Sequence, residues 1–269
     1  MSPIERKPRI AAVGDNCIDV LLPPIDRRLV GGNALNVAVQ LARLGADAFY
    51  FGAVGRDEQG DLVASALRAN GVNSSHLVRR SAPTSHTIIS VDAAGDRHMD
   101  HEDFGACDGY APTGAAIDAL LTMDHVHIGW LNDGGALRRR LAKAGVSVSQ
   151  DISVNSQPRH LGVEGLAIVF ASLEGSHDQV EAEARCLLSK GARNAVLTRG
   201  SAGSSIFFSK NAFERSAEKI TPLDTTGAGD SFAAGFLYAI FTGKTSRQAA
   251  DDAAVLASRT CLHLGGFPQ

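Results

Sequence analysis

Asp224-Thr225-Thr226-Gly227-Ala228-Gly229-Asp230-Ser231-Phe232 is the stretch on which the reading of this chain turns. It sets a glycine-rich turn before an apolar, helix-forming run that includes Phe232, Ala233, Ala234, Phe236, Leu237, Ala239 and Ile240. Glycines permit a tight turn and leave backbone N–H groups open to a ligand. A helix N-terminus adds unpaired N–H groups and a partial positive charge, which suits an anion. The turn also carries a carboxylate, Asp230. A carboxylate beside an anion hole fits a site where it takes a proton from a hydroxyl that then attacks a phosphate. A lone Gly-x-Gly-Asp recurs by chance, so the rest of the chain must carry the reading.

Working outward, the pattern alternates. Apolar runs at 10–13, 48–54, 126–129, 146–149, 166–171 and 195–198 predict strands. Residues 34–44, 57–70, 135–144, 179–190, 231–242 and 247–262 predict helices. A closing hairpin is expected at 204–208 and 213–216. Alternating strands and helices imply a mainly parallel sheet covered on both faces, with ligands beyond the carboxyl ends of the strands. Asp15, Asn16, Asp19, Arg199 and the Gly227 turn all fall at such ends. Residues 84–104 break the pattern: strand, turn at Ala94-Gly95-Asp96, strand, read as a small β lid.

The 269 residues fit one domain, 1–269, carrying that lid as an insertion. A net charge of −3 with scattered Lys and Arg gives no basic face for nucleic acid. No signal peptide or membrane span is read, which makes the cytoplasm the expected location. Cys17, Cys107, Cys186 and Cys261 lie far apart and form no zinc or redox motif. Gly243-Lys244-Thr245 lacks the earlier glycine of a P-loop, since position 238 is Tyr238. His125 and His127 read as polar histidines rather than metal ligands, and Trp130 as a packing residue.

Three separated segments now line up: Gly31-Gly32-Asn33-Ala34-Leu35-Asn36-Val37-Ala38, Gly52 to Gly60, and Asp224 to Asp230. Together they resemble the ribokinase-like, PfkB-type carbohydrate kinases over nearly the whole chain. The resemblance implies an α/β fold: a ribokinase-like three-layer α/β/α sandwich with a mainly parallel sheet and a small β lid. It implies ATP and Mg2+, leaves a monovalent cation open, and makes the chain a kinase for a sugar hydroxyl. By it Asp230 is the catalytic base, and the N–H groups of Ala228, Gly229 and Asp230 form an anion hole opened by Gly227. Asp19, Gly31, Gly32 and Asn33 hold the sugar, and Thr198, Gly200 and Gly203 border the nucleotide with Gly227 and Gly229.

Gly14-Asp15-Asn16-Cys17-Ile18-Asp19, the short lid and Phe170-Ala171-Ser172 are similar to the fructoselysine 6-kinase branch. That points to a sugar–amine acceptor phosphorylated at its 6-hydroxyl, with Asp15 and Asn16 helping to hold it. The lid residues Arg97, His98, His101 and Glu102 would approach its amine-bearing tail. One departure is plain. Where the family carries Asn-x-x-Glu, this chain reads Ala171-Ser172-Leu173-Glu174, so only Glu174 is left to meet the metal, through water. Fructose, ribose, a keto-deoxy sugar acid or a nucleoside stay open as acceptors, as does a catalytically dead sugar-binding protein. The exposed lid edge is expected to pair two chains as a homodimer.

Overall fold

A computed structural model describes residues 6–91, 97–208 and 211–269, apart from the side chains of Val91 and Arg97. The expected lid turn at 94–96 therefore lies outside the described residues. The chain opens with β1 (Arg9–Val13), β2 (Cys17–Leu21), β3 (Arg27–Gly31) and α1 (Asn33–Leu44). β4 (Asp47–Phe51), β5 (Ala53–Val54), α2 (Glu58–Ala69), β6 (Val78–Arg79), β7 (His86–Val91) and β8 (Arg97–Asp103) follow. Then come α3 (Ala115–Leu120), β9 (His125–Ile128), α4 (Ala136–Lys143), β10 (Ser147–Asp151), β11 (Ile168–Ser172) and α5 (His177–Ser189). β12 (Ala195–Thr198), β13 (Ser204–Phe208), β14 (Asn211–Arg215), α6 (Ala228–Phe241) and α7 (Ser246–Thr260) complete the order.

The central sheet runs β14-β13-β12-β11-β10-β9-β1-β4. The strands from β4 to β12 are mutually parallel, and β13 and β14 close the sheet antiparallel. Both faces of the sheet are covered, so most of its strands are apolar on both sides, β9 and β10 with their buried His, Ser and Gln being among the exceptions. In β1, Ile10 and Ala12 join α1, α2, α6 and α7 in one core, while Ala11 and Val13 join α3, α4 and α5 in a second. That is the three-layer α/β/α arrangement, and one-residue alternation along each strand divides the side chains between the two cores.

Several boundaries differ from the sequence reading. The strand expected over 48–54 is broken at Gly52, where a Cβ would sit 2.2 Å from the Tyr50 hydroxyl and 2.7 Å from the Gly14 carbonyl. β5 then leaves the central sheet to pair with β6. The lid is larger than the hairpin expected at 84–104. It is a four-stranded sheet, β3-β2-β7-β8, in which β2 and β3 come from the segment after β1. Its parallel β2–β7 pairing joins Asp19 to Thr87 across a long sequence gap, which a local pattern cannot show.

Other expectations resolve simply. Gly243 takes φ +85 after α6, and Thr245 caps α7 in a reciprocal box with Gln248, so the Gly-Lys-Thr stretch is a helix–helix turn. His125 and His127 are fully buried and wired to serines: His125 meets Ser147 Oγ at 2.9 Å and Ser149 Oγ at 2.7 Å, and His127 meets Ser149 Oγ at 2.9 Å. Burial pushes both imidazoles down to about 3, so they are neutral. All four cysteines are free. No helix among the described residues is long and apolar enough to cross a membrane.

Candidate active site

Gly227 takes φ +74 and caps α6 with no side-chain hydrogen bond. A Cβ on it would lie 2.5 Å from Gly266 Cα, so both the conformation and the space require glycine there. The helix starts at Ala228, a turn earlier than its apolar run suggests, which puts Asp230 inside the first turn. First-turn N–H groups have no intrahelical acceptor. The Ala228 N–H is nonetheless used, donating to the Thr225 carbonyl at 3.2 Å. Of the three N–H groups expected to form an anion hole, that of Ala228 is thus already engaged. A Cβ on Gly229 would meet nothing, because that position faces open space.

The open space is a groove of about 480 Å³, within the range of small-molecule sites. Asp230, Gly229 and Ala228 lie on its wall, with Asp151 at the end of β10, Ser153 after it, Thr198 at the end of β12, and Gly200 and Gly203 after it. Ala254, Ala257 and Ser258 of α7 supply an opposite, largely apolar side. The expected nucleotide-side residues are thus brought together around one cavity. Arg199 is not among them, since its guanidinium turns to Glu214 at 2.8 Å.

On the other side of Asp230 lies the turn into α1. Gly32 adopts φ +106, and a Cβ there would sit 2.5 Å from Asn16 Cα. Asp15 fastens the turn: its carboxylate accepts from the N–H groups of Asn33 at 2.8 Å, Ala34 at 3.1 Å and Trp130 at 3.2 Å. Asp15 is buried, and its carboxylate is committed to these backbone groups. Asn16 is likewise engaged within the protein. It is fully buried, and its amide donates to the Ala53 carbonyl at 2.7 Å and the Tyr50 hydroxyl at 3.0 Å. Asn33 also differs from expectation, because its amide nitrogen donates to Asp230 at 2.6 Å and to Asp151 at 3.2 Å.

Asp19 lies on β2, its carboxylate against Gly31, where an added Cβ would sit 2.9 Å from Oδ2. Asp19, Thr87 and Glu102 are register neighbours across the lid and so share one face. Glu102 is exposed, yet partial burial raises its carboxyl, and the charge of Asp15 raises it further. His101, beside Ile88, lies on the opposite face and packs 5.7 Å from His86, away from Asp19. Arg97 opens β8, and its side chain lies outside the described residues. Trp130 packs flat on Phe104 at 3.8 Å, as a packing residue should.

Asp230 joins the two halves. Its carboxylate accepts from Asn33 Nδ2 at 2.6 Å and Asn36 Nδ2 at 2.7 Å. Loss of hydration pushes its pKa up to about 8, and the neighbouring charges of Asp151 and Asp15 add to this against the two amides. Asn36 and Asp151 were not anticipated. Two asparagines three apart on an otherwise apolar helix, and a carboxylate ending a parallel strand, are the signals that mark them.

The metal expectation fits poorly. Glu174 is exposed two residues before the N-cap of α5 and is not part of the groove wall. Among the described residues no group of three or more His, Cys, Asp or Glu side chains is arranged to hold an ion. The described residues offer no preformed cage.

The family model for pfkB family carbohydrate kinases matches residues 23–101 and 163–267. A fructoselysine 6-kinase of Escherichia coli is 28% identical over 260 residues, spanning 96% of this chain and 99% of that protein. A fructosamine kinase of Bacillus subtilis is 30% identical over 273 residues, spanning 96% and 93%. Among solved structures, Arabidopsis thaliana ribokinase complexed with ribose and ATP superposes with a TM-score of 0.85 at 22% identity, covering 98% of this chain and 96% of that one. That last likeness concerns the fold.

Proposed function

Because this chain belongs to the pfkB carbohydrate kinase family, and is thus an ATP-dependent sugar kinase, we propose that it phosphorylates the 6-hydroxyl of fructoselysine or a related fructosamine. In this reading Asp230 is the general base and the α6 N-terminus the anion site. The observation that carries it is the position of Asp230. It stands on the wall of the groove while its oxygens are held by Asn33 and Asn36 of α1, which supports a base set between donor and acceptor.

The chemistry follows from that position. A sugar hydroxyl has a very high pKa, so its proton leaves as the bond to phosphorus forms. A carboxylate with a pKa near 8 is a better proton acceptor than an ordinary aspartate, once it is ionised. Charge gathering on the phosphoryl oxygens meets the N–H groups of Gly229 and Asp230 and the positive end of α6.

The acceptor class draws support from charge as well as from the two relatives. Asp19 and Glu102 share the inner face of the lid, and Asp15 lies beneath it. Carboxylates placed this way favour an acceptor with an ammonium group over a neutral sugar. We further propose a cytoplasmic enzyme that dimerises through β8, an edge strand with Met99 77% exposed.

The test is ADP release from Mg-ATP with fructoselysine, other fructosamines, fructose, ribose, keto-deoxygluconate and adenosine, with Asp230→Asn in parallel. Turnover confined to fructosamines and lost in the variant is expected. Turnover with a different acceptor would remove the substrate assignment and keep the base. Acceptor binding with no turnover would favour a sugar-binding protein that has lost catalysis.

A further inference from the structure

We propose that Asn36, wedged against the backbone of Gly266, is the positioning residue that aims the Asp230 carboxylate at the acceptor hydroxyl. The inference rests on the phosphoryl-transfer reading and concerns how this chain builds its base. Asn33 and Asn36 lie three residues apart on α1, so their side chains share a face. Each holds a different oxygen of Asp230, Asn33 taking Oδ1 and Asn36 taking Oδ2. Two bonds to two oxygens fix the plane of the carboxylate and hence the direction of its remaining lone pairs.

The two amides are not equivalent. Asn33 divides its nitrogen between Asp230 and Asp151. Asn36 gives its nitrogen to Asp230 at 2.7 Å and does not share it with Asp151. The Oδ1 atoms of both amides are buried with no protein partner. A buried amide placed for stability alone would satisfy both ends. Both leave the acceptor end unmet and keep a donor on the base, and Asn36 is the one whose donor is undivided.

The clamp on Asn36 comes from the far end of the chain. A Cβ on Gly266 would lie 2.4 Å from Asn36 Cγ and 2.5 Å from both Nδ2 and Oδ1, so any larger residue would evict the amide. Gly266 is itself held, its carbonyl accepting from Gln40 Nε2 at 2.8 Å one turn further along α1. The Gly265 N–H donates to Asp224 Oδ2 at 2.7 Å, and Phe267 is buried. The segment thus threads between α1 and the turn that opens α6, and locks one against the other. The charged groups facing Asp230 are Asp151 at the end of β10 and Asp15 beyond β1, with Glu102 of the lid facing Asp15. All are carboxylates, so the amide donors are what favour the ionised base.

The experiment is a pH–rate profile from pH 5.5 to 10 for wild type, Asn36→Ala, Asn36→Ser, Gly266→Ala and Asp230→Asn, with Mg-ATP and whichever acceptor of the panel turns over. Loss of one charge-assisted donor moves the acid limb of kcat/KM up by about one pH unit in Asn36→Ala and Gly266→Ala. Their kcat at pH 7 falls about tenfold or more, and KM for ATP is unchanged. Asn36→Ser, smaller and still polar, gives the same signature if the alanine variant does not fold. An unmoved limb with a raised KM for the acceptor would make Asn36 a substrate contact and overturn the proposal. So would an equal loss of rate at every pH, which marks a merely structural residue. Full turnover by Asp230→Asn would sink the base assignment itself, whichever way Asn36 behaves.

Discussion

Replacing Asp230 by asparagine should change how stability depends on pH, before any substrate is added. The Asp230 carboxyl is pushed from 3.8 up to about 8 in the folded chain, mainly by loss of hydration and then by Asp151 and Asp15. A carboxyl with a higher pKa folded than unfolded makes the native state the stronger proton binder between those two values. The stability supplied by its proton is complete below pH 3.8, declines through the window and is gone above about 8. The full shift corresponds to at most about 6 kcal/mol.

Asp230→Asn carries no such proton, and its stability lacks this component. Urea unfolding of both proteins at pH 5, 6, 7, 8 and 9 isolates it as a difference. Wild type should lose at most about 4 kcal/mol relative to Asp230→Asn between pH 5 and 8, with no further change above pH 9. The acid limb of wild-type kcat/KM should lie near the upper end of the same window, because that quantity reports the free enzyme. A difference that stays flat from pH 5 to 9, or that bends only near pH 4, would mean that Asp230 is ionised in the free enzyme. The assignment of a raised base would then be wrong.

Three further predictions follow from single contacts. Asp15→Ala strands the N–H groups of Asn33, Ala34 and Trp130 in a buried turn and should cost about 3–5 kcal/mol by urea midpoint, with Asp15→Asn milder. Ser149→Ala removes a partner from both His125 and His127 and should cost about 2 kcal/mol while leaving KM for ATP unchanged; an unaltered midpoint would show that the buried histidines need no partner. Ala257→Trp fills the α7 side of the groove and should raise KM for ATP about tenfold without moving KM for the acceptor; a rise in acceptor KM instead would reverse the assignment of the two sites.

Much of the layered fold was legible because its cause is local. Short apolar runs with helices between them need cover on both faces, and Ile10–Val13 shows the division residue by residue. The lid strands β2 and β3 were not legible. Asp19, Arg27 and Arg28 blur the apolar pattern, and the strand that pairs with β2 lies at His86–Val91. Gly52 split an otherwise continuous strand for a reason seen only in space, the approach of the Tyr50 hydroxyl and the Gly14 carbonyl.

The chain by itself determined that a carboxylate would sit at a glycine-opened helix N-terminus. Gly227, Gly229 and Asp230 are neighbours, and backbone geometry over a few residues follows from their chemistry. Only the tertiary structure decided what surrounds that carboxylate. Asn33 and Asn36 reach it from α1, Asp15 and Asp151 act on it from strand ends, and Gly266 wedges Asn36 from the last residues of the chain. Proton affinity depends on desolvation and on charges and dipoles gathered within a few ångströms, and those are brought together by packing, not by order along the chain.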